Sequence, residues 1–180
     1  ERGRFAVLMF DPRLKRLGPG AMPPAERVRS AATAVFRGQA GTAWAYASWA
    51  DSADYGHPDR VYARAAARLL MSGPDRYRAA LADGGLADSL SERPATLAGW
   101  EFPSDPPLRA AYENVLRSPL DAARHAALAQ ALLARGYLVA GGFELRLAVT
   151  LDPARATDAG KLRSLILAAD PDAQRSVPAQ

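Results

Sequence analysis

Few residues of this chain are suited to chemistry, and most of those lie close together. The densest run of oxygen and nitrogen donors is Asp51-Ser-Ala-Asp54-Tyr-Gly-His57-Pro-Asp59. Asp54, His57 and Asp59 would offer two carboxylates and one imidazole, donor types suited to zinc or to a harder cation. Their spacing matches no His-Glu-x-x-His signature. The plainer reading is a polar interhelix loop in which Asp caps helix ends. The other histidine, His125, lies far along the chain, and with no cysteine there is no thiol nucleophile, disulfide framework or thiolate metal site. The chain has no Gly-x-Ser-x-Gly elbow, no phosphate loop and no Gly-x-Gly-x-x-Gly turn. We therefore assign no catalytic residue, cofactor or metal from the sequence.

A second cluster is aromatic. Trp44, Tyr46, Trp49, Tyr55 and Tyr62 fall within nineteen positions, with Arg60 and Arg64 among or beside them. Aromatic faces attract cations and apolar groups, and Arg holds carboxylates, so one reading is a groove for a peptide, glycan or cation. The other is packing between two helices. Trp44 and Trp49 are five apart and cannot share one narrow helical face, which leaves one free to point outward. The candidate partner-binding residues are Tyr46, Trp49, Arg60, Tyr62 and Arg64, followed by Tyr137 and Arg146.

The net charge of +4 does not identify a ligand. Of 23 basic residues only Lys15 and Lys161 are lysine, Ile and Asn each occur once, and Ala occurs 40 times. This composition is expected of a GC-rich, bacterial genome, so the arginine bias is partly mutational. Residues 1–37 hold eight basic and three acidic side chains, whereas residues 38–180 hold fifteen and sixteen. The excess thus belongs to a basic lead-in, which would attract nucleic acid or anionic lipid only nonspecifically. No nucleic-acid motif accompanies it. The opening at Glu1 instead of Met is expected where a preceding segment has been removed. Nothing separates cytoplasm from periplasm.

The elements that must position these residues read as helices. A chain of 180 residues, 49% hydrophobic, buries enough surface to fold without staples. No apolar run approaches the ~20 residues of a membrane span. The segment Arg4–Phe10 is too short to assign by periodicity. Ala25–Arg37 places Val28, Ala31, Ala32, Val35 and Phe36 on one face, with Pro24 suited to the first helical position. Further helices are predicted at Thr42–Ser52, Arg60–Met71, Arg76–Ala82, Leu108–Arg117, Ala122–Arg135, Leu138–Leu151 and Ala159–Ala169. The stretch from Gly84 to Pro107 reads as an irregular connection with one short helix near Leu86–Leu90. Asp-Pro pairs such as Asp152-Pro153 are expected to cap the helix that follows. No strand pairs are predicted.

One internal pattern has a recognisable shape. Pro119 and Pro153 lie 34 residues apart, and each ends a helix-like run. Between them come Leu128-Ala129, Leu132, the turn Gly136-Tyr137, then Gly141, Leu145 and Ala148. Over residues 122–155 this resembles a tetratricopeptide repeat, a helical hairpin in which small residues let two helices approach and large ones fill the seam. His125 stands where that family prefers Trp, Leu132 where it prefers Tyr, and Gly141 where it prefers Ala. Two glycines in mid-helix cost about 1 kcal/mol each against Ala. Gly141-Gly142 is therefore expected either to serve close helix contact or to break the helix.

These readings give an all-α fold of antiparallel helical hairpins, either a tetratricopeptide-like solenoid or an irregular bundle. The parts are a basic lead-in (1–22), hairpins with a long irregular connection (23–105), tetratricopeptide-like hairpins (106–173) and a frayed tail (174–180). The resemblance implies an adaptor or scaffold that binds a protein or peptide on a helical-repeat surface. Two alternatives are an enzyme or accessory acting on a polymer such as glycan, and a subunit of a larger bacterial assembly.

Overall fold

The computed structural model describes residues 24–48, 58–83, 96–97, 100–101 and 105–169. Within them the fold is all-α. Its helices are α1 (Pro24–Phe36), α2 (Ala40–Ser48), α3 (Pro58–Ser72), α4 (Pro74–Asp83), α5 (Pro106–Arg117), α6 (Ala122–Leu133), α7 (Leu138–Leu151) and α8 (Ala156–Ala169). Between α4 and α5, β1 (Thr96–Leu97) and β2 (Trp100–Glu101) form an antiparallel ladder that pairs Thr96 with Glu101 and Leu97 with Trp100. No strand pair is legible in the sequence there, because two-residue strands are too short to show alternation. The lead-in, the tail and the expected short helix at Leu86–Leu90 lie outside the described residues, as does Arg4–Phe10.

The helix boundaries follow local chemistry. Pro24, Pro58, Pro74 and Pro106 each open a helix, where the N–H they lack would have no intrahelical partner. Asp105 caps α5 by accepting from the Leu108 N–H at 3.1 Å. Asp121 caps α6 by accepting from the Ala123 and Arg124 N–H groups at 2.9 and 3.3 Å. Asp152 differs from expectation: it ends α7, accepts from the Ala154 N–H at 3.1 Å within the turn, and α8 begins only at Ala156. Two Schellman-type endings use glycine. The Gly38 N–H reaches Val35 O and the Gln39 N–H reaches Ala34 O, while Gly136 and Tyr137 repeat the pattern on Leu133 and Leu132. Gly38 and Gly136 have φ of 76° and 81°, the left-handed region that a side chain disfavours.

The central helix is α7, which packs against α6, α1, α8 and α3. Ala140 to Leu145, Leu147 and Ala148 are all buried in it. Its weak amphipathicity in sequence reflects a helix covered on most sides. The mid-helix glycines resolve as close contacts. A Cβ on Gly141 would lie 2.6 Å from Leu133 Cγ in α6, and one on Gly142 would lie 2.4 Å from Phe36 Cδ2 in α1. In the hairpin α6–α7, Gly141 lets the two helices approach at Leu133 and Ala129. A solenoid stacks each hairpin on its sequence neighbours alone; here α1 lies against α7, and an irregular bundle describes the arrangement. One core runs through it, from Ala32 and Val35 through Tyr62, Leu69 and Tyr77 to Leu128, Leu132, Phe143 and Leu147. It draws residues from both the 23–105 and the 106–173 segments.

Candidate functional site

The structure divides the sequence candidates between interior and surface. Tyr62 is fully buried, with its ring 5.3 Å from Phe143 and 5.5 Å from Tyr112 between centroids. It is a core residue and cannot touch a partner, which corrects the sequence assignment. Arg60 is corrected in the same way: it is buried, and its Nε donates to the Ala47 carbonyl at 2.9 Å, tying α3 to α2. Tyr46 packs half-buried against the small cluster of Val28, Ala31, Ala47 and Ala63, and Tyr137 packs half-buried on the main core. Arg146 donates from Nε to the Phe36 carbonyl at 3.3 Å, and its guanidinium lies close over Gly38. It thereby satisfies a carbonyl at the negative end of α1. Burial pushes its pKa below the usual arginine value. Trp49, Asp54 and His57 lie outside the described residues, and Asp59 falls in the first turn of α3. Among the described residues no three His, Cys, Asp or Glu side chains gather into a metal set.

Arg64 does lie on the surface beside Trp44, together with Arg68, which the sequence reading missed. One turn apart on α3, Arg64 and Arg68 both lie over the indole of Trp44 on α2, with Cζ atoms 5.2 and 3.8 Å from the ring centroid. All three side chains are half-buried. Among the described residues neither guanidinium forms an ion pair with a carboxylate. The indole face offsets part of the repulsion between two like charges, and their N–H groups are left as donors for an anion. The i, i+4 spacing of Arg64 and Arg68 below an aromatic-rich helix was the available signal.

The second group that sequence reasoning missed is internal. Glu144 of α7 and His125 of α6 are both completely buried. Glu144 Oε2 lies 2.7 Å from His125 Nδ1, and Glu144 Oε1 accepts from the Tyr62 hydroxyl at 2.7 Å. His125 Nε2 lies 2.9 Å from the Pro119 carbonyl in the α5–α6 turn. A carbonyl only accepts, so Nε2 carries a proton. The proton between Nδ1 and Oε2 then makes either an imidazolium–carboxylate pair or a neutral imidazole with a carboxylic acid. Each state satisfies every atom, and the network joins α3, α6, α7 and the α5–α6 turn. With no exposed atom, the pair has no route to a substrate, and its geometry fits a structural latch.

Burial and the Glu144 charge hold the Tyr62 and Tyr77 phenols well above their ordinary pKa of 10.0. The unfolded chain would ionise these groups above pH ~10 while the fold keeps them neutral, so the unfolded state then binds fewer protons and stability falls as pH rises. The expected slope is about 1.4 kcal/mol per pH unit for each tyrosine. Urea titrations at pH values spaced from about 8 to 11 would check it; a midpoint flat across this range would contradict the burial of both phenols.

No described helix is long and apolar enough to cross a membrane. Comparisons with family models, with curated proteins and with solved structures return no significant match.

Proposed function

We propose that this chain is a non-catalytic binding module, an adaptor or scaffold, that recognises an acidic segment of a partner protein on its α2–α3 face. The observation that carries this reading is the pair of guanidiniums over one half-buried indole, without a carboxylate partner among the described residues. Arg64 and Arg68 have geometry for charge-assisted hydrogen bonds to carboxylates, and the indole supplies apolar contact beside them. The tight seam of α6–α7 supports a tetratricopeptide-like hairpin within the bundle, with a supporting role rather than a contact role. The closed His125–Glu144 pair favours a structural role, and of the residues behind the polymer-acting enzyme reading, Trp49, Asp54 and His57 lie outside the described residues.

The test is capture of partners from the native source followed by mass spectrometry, using wild type and Arg64→Glu/Arg68→Glu. A stoichiometric partner should bind wild type, and charge reversal should weaken it about tenfold or more, with an unchanged circular dichroism spectrum and melting temperature. A partner held equally well by both proteins would overturn the assignment.

A further inference from the structure

A cleft of about 270 Å³ opens between α7 and α8, lined by Arg146, Val149, Leu162, Arg163, Ile166 and Leu167 among others. Its lining is mainly aliphatic, with Arg146 and Arg163 on its border. Among the described residues no carboxylate lines it. The nearby Asp158 is buried and already paired with Arg155 at 2.7 Å. Arg146 is fixed by its bond to Phe36 O, with its guanidinium over Gly38. Arg163 is exposed and forms no ion pair among the described residues. Partial burial of Arg146 without an anion carries a desolvation penalty that an incoming carboxylate would relieve.

The volume narrows the ligand. It falls below the ~300–1,000 Å³ of pockets that enclose small molecules; it is the size of one or two large side chains. We infer that this cleft seats a short amphipathic helix of a partner protein, placing a Leu-sized side chain against the aliphatic lining and an acidic residue one turn away against Arg146 and Arg163. Helix-in-groove recognition uses anchors at i and i+4, and the charge of the cleft selects Glu or Asp for the second. This inference rests on the binding-module reading but uses a face different from α2–α3.

The experiment uses two helical peptides built on the same Ala- and Gln-rich scaffold, one with Leu and Glu at i and i+4 and the other with Lys in place of Glu. Anisotropy of the labelled peptides gives affinity, and amide chemical-shift mapping on the whole chain gives location. The Glu peptide should shift α7 and α8 resonances and bind about tenfold more tightly than the Lys peptide. Arg163→Glu, at an exposed position, should reverse that preference. Shifts away from the cleft, a preference unchanged by Arg163→Glu, or no binding of either peptide at about millimolar concentration would each overturn the inference. Equal displacement of the Glu peptide by octanoate or inorganic phosphate would also overturn it, in favour of a free anion. Shifts confined to the Trp44 face would sink the cleft while leaving the α2–α3 assignment standing.

Discussion

Replacing Glu144 by leucine is expected to destabilise the fold by about 3–5 kcal/mol. For a chain of this size that lowers the melting temperature by on the order of 10 °C. The leucine would leave two buried groups without partners: the Tyr62 hydroxyl, which donates to Oε1 at 2.7 Å, and His125 Nδ1, which faces Oε2 at 2.7 Å. Neither can turn to water, because both side chains are fully buried. Glu144→Gln behaves differently. Its carbonyl oxygen can accept from Tyr62, and its amide can donate to Nδ1 of a neutral imidazole whose Nε2–H still reaches Pro119. The glutamine variant should therefore lie within about 1 kcal/mol of wild type. Urea denaturation of the three proteins checks the pattern. Equal losses for Gln and Leu would mean that the carboxylate's charge, and not the hydrogen-bond inventory, holds these helices together.

The second large effect is expected at Gly142. A Cβ there would sit 2.4 and 2.5 Å from two carbons of the Phe36 ring, which is itself only 2% exposed. Alanine gains about 1 kcal/mol in helix propensity, yet it must displace a packed aromatic ring, and overpacking of this kind costs about 1–3 kcal/mol or more. We expect a net loss of about 2 kcal/mol, relieved in part by Phe36→Leu, which thins the opposing side chain. Gly160→Ala in α8 is the control: nothing lies within 4 Å of its Cβ, so it should stabilise by up to about 1 kcal/mol. Thermal melts of the three variants give the comparison. A stabilised Gly142→Ala would show that α1 and α7 are farther apart than described.

These two sites mark what the sequence could and could not convey. The apolar face of α1, from Val28 to Phe36, is legible because 3.6-residue periodicity survives wherever one side of a helix meets solvent. The turns at Gly38 and Gly136 are legible because positive φ selects glycine. The pattern of residues 122–155 anticipates a hairpin with small residues at its seam, yet Gly142 faces α1, more than a hundred positions away, and no local pattern can announce that contact. His125 sits among Leu128, Ala129 and Leu132, and Glu144 between Gly141 and Ala148, so each is a polar residue on an apolar seam. Read together, two such residues on facing helices signal a buried pair; read separately, each looks like an isolated exception. The aromatic cluster misled for a related reason. Tyr62 and Trp44 belong to one stretch of sequence, but Tyr62 on α3 enters the core while Trp44 on α2 lies under two arginines. Asp152-Pro153 shows the limit of a cap signature, since the same dipeptide can end one helix as well as start the next.

We propose a division of labour, in which the buried polar network holds the bundle and the Trp44–Arg64–Arg68 face recognises the partner. A binding titration with the captured partner, run on wild type, Glu144→Gln and Arg64→Glu/Arg68→Glu, separates the two roles. Glu144→Gln should bind with wild-type affinity, and the double charge reversal should weaken binding about tenfold or more. Undiminished binding by the charge-reversed protein, or binding lost in a folded Glu144→Gln, would contradict it.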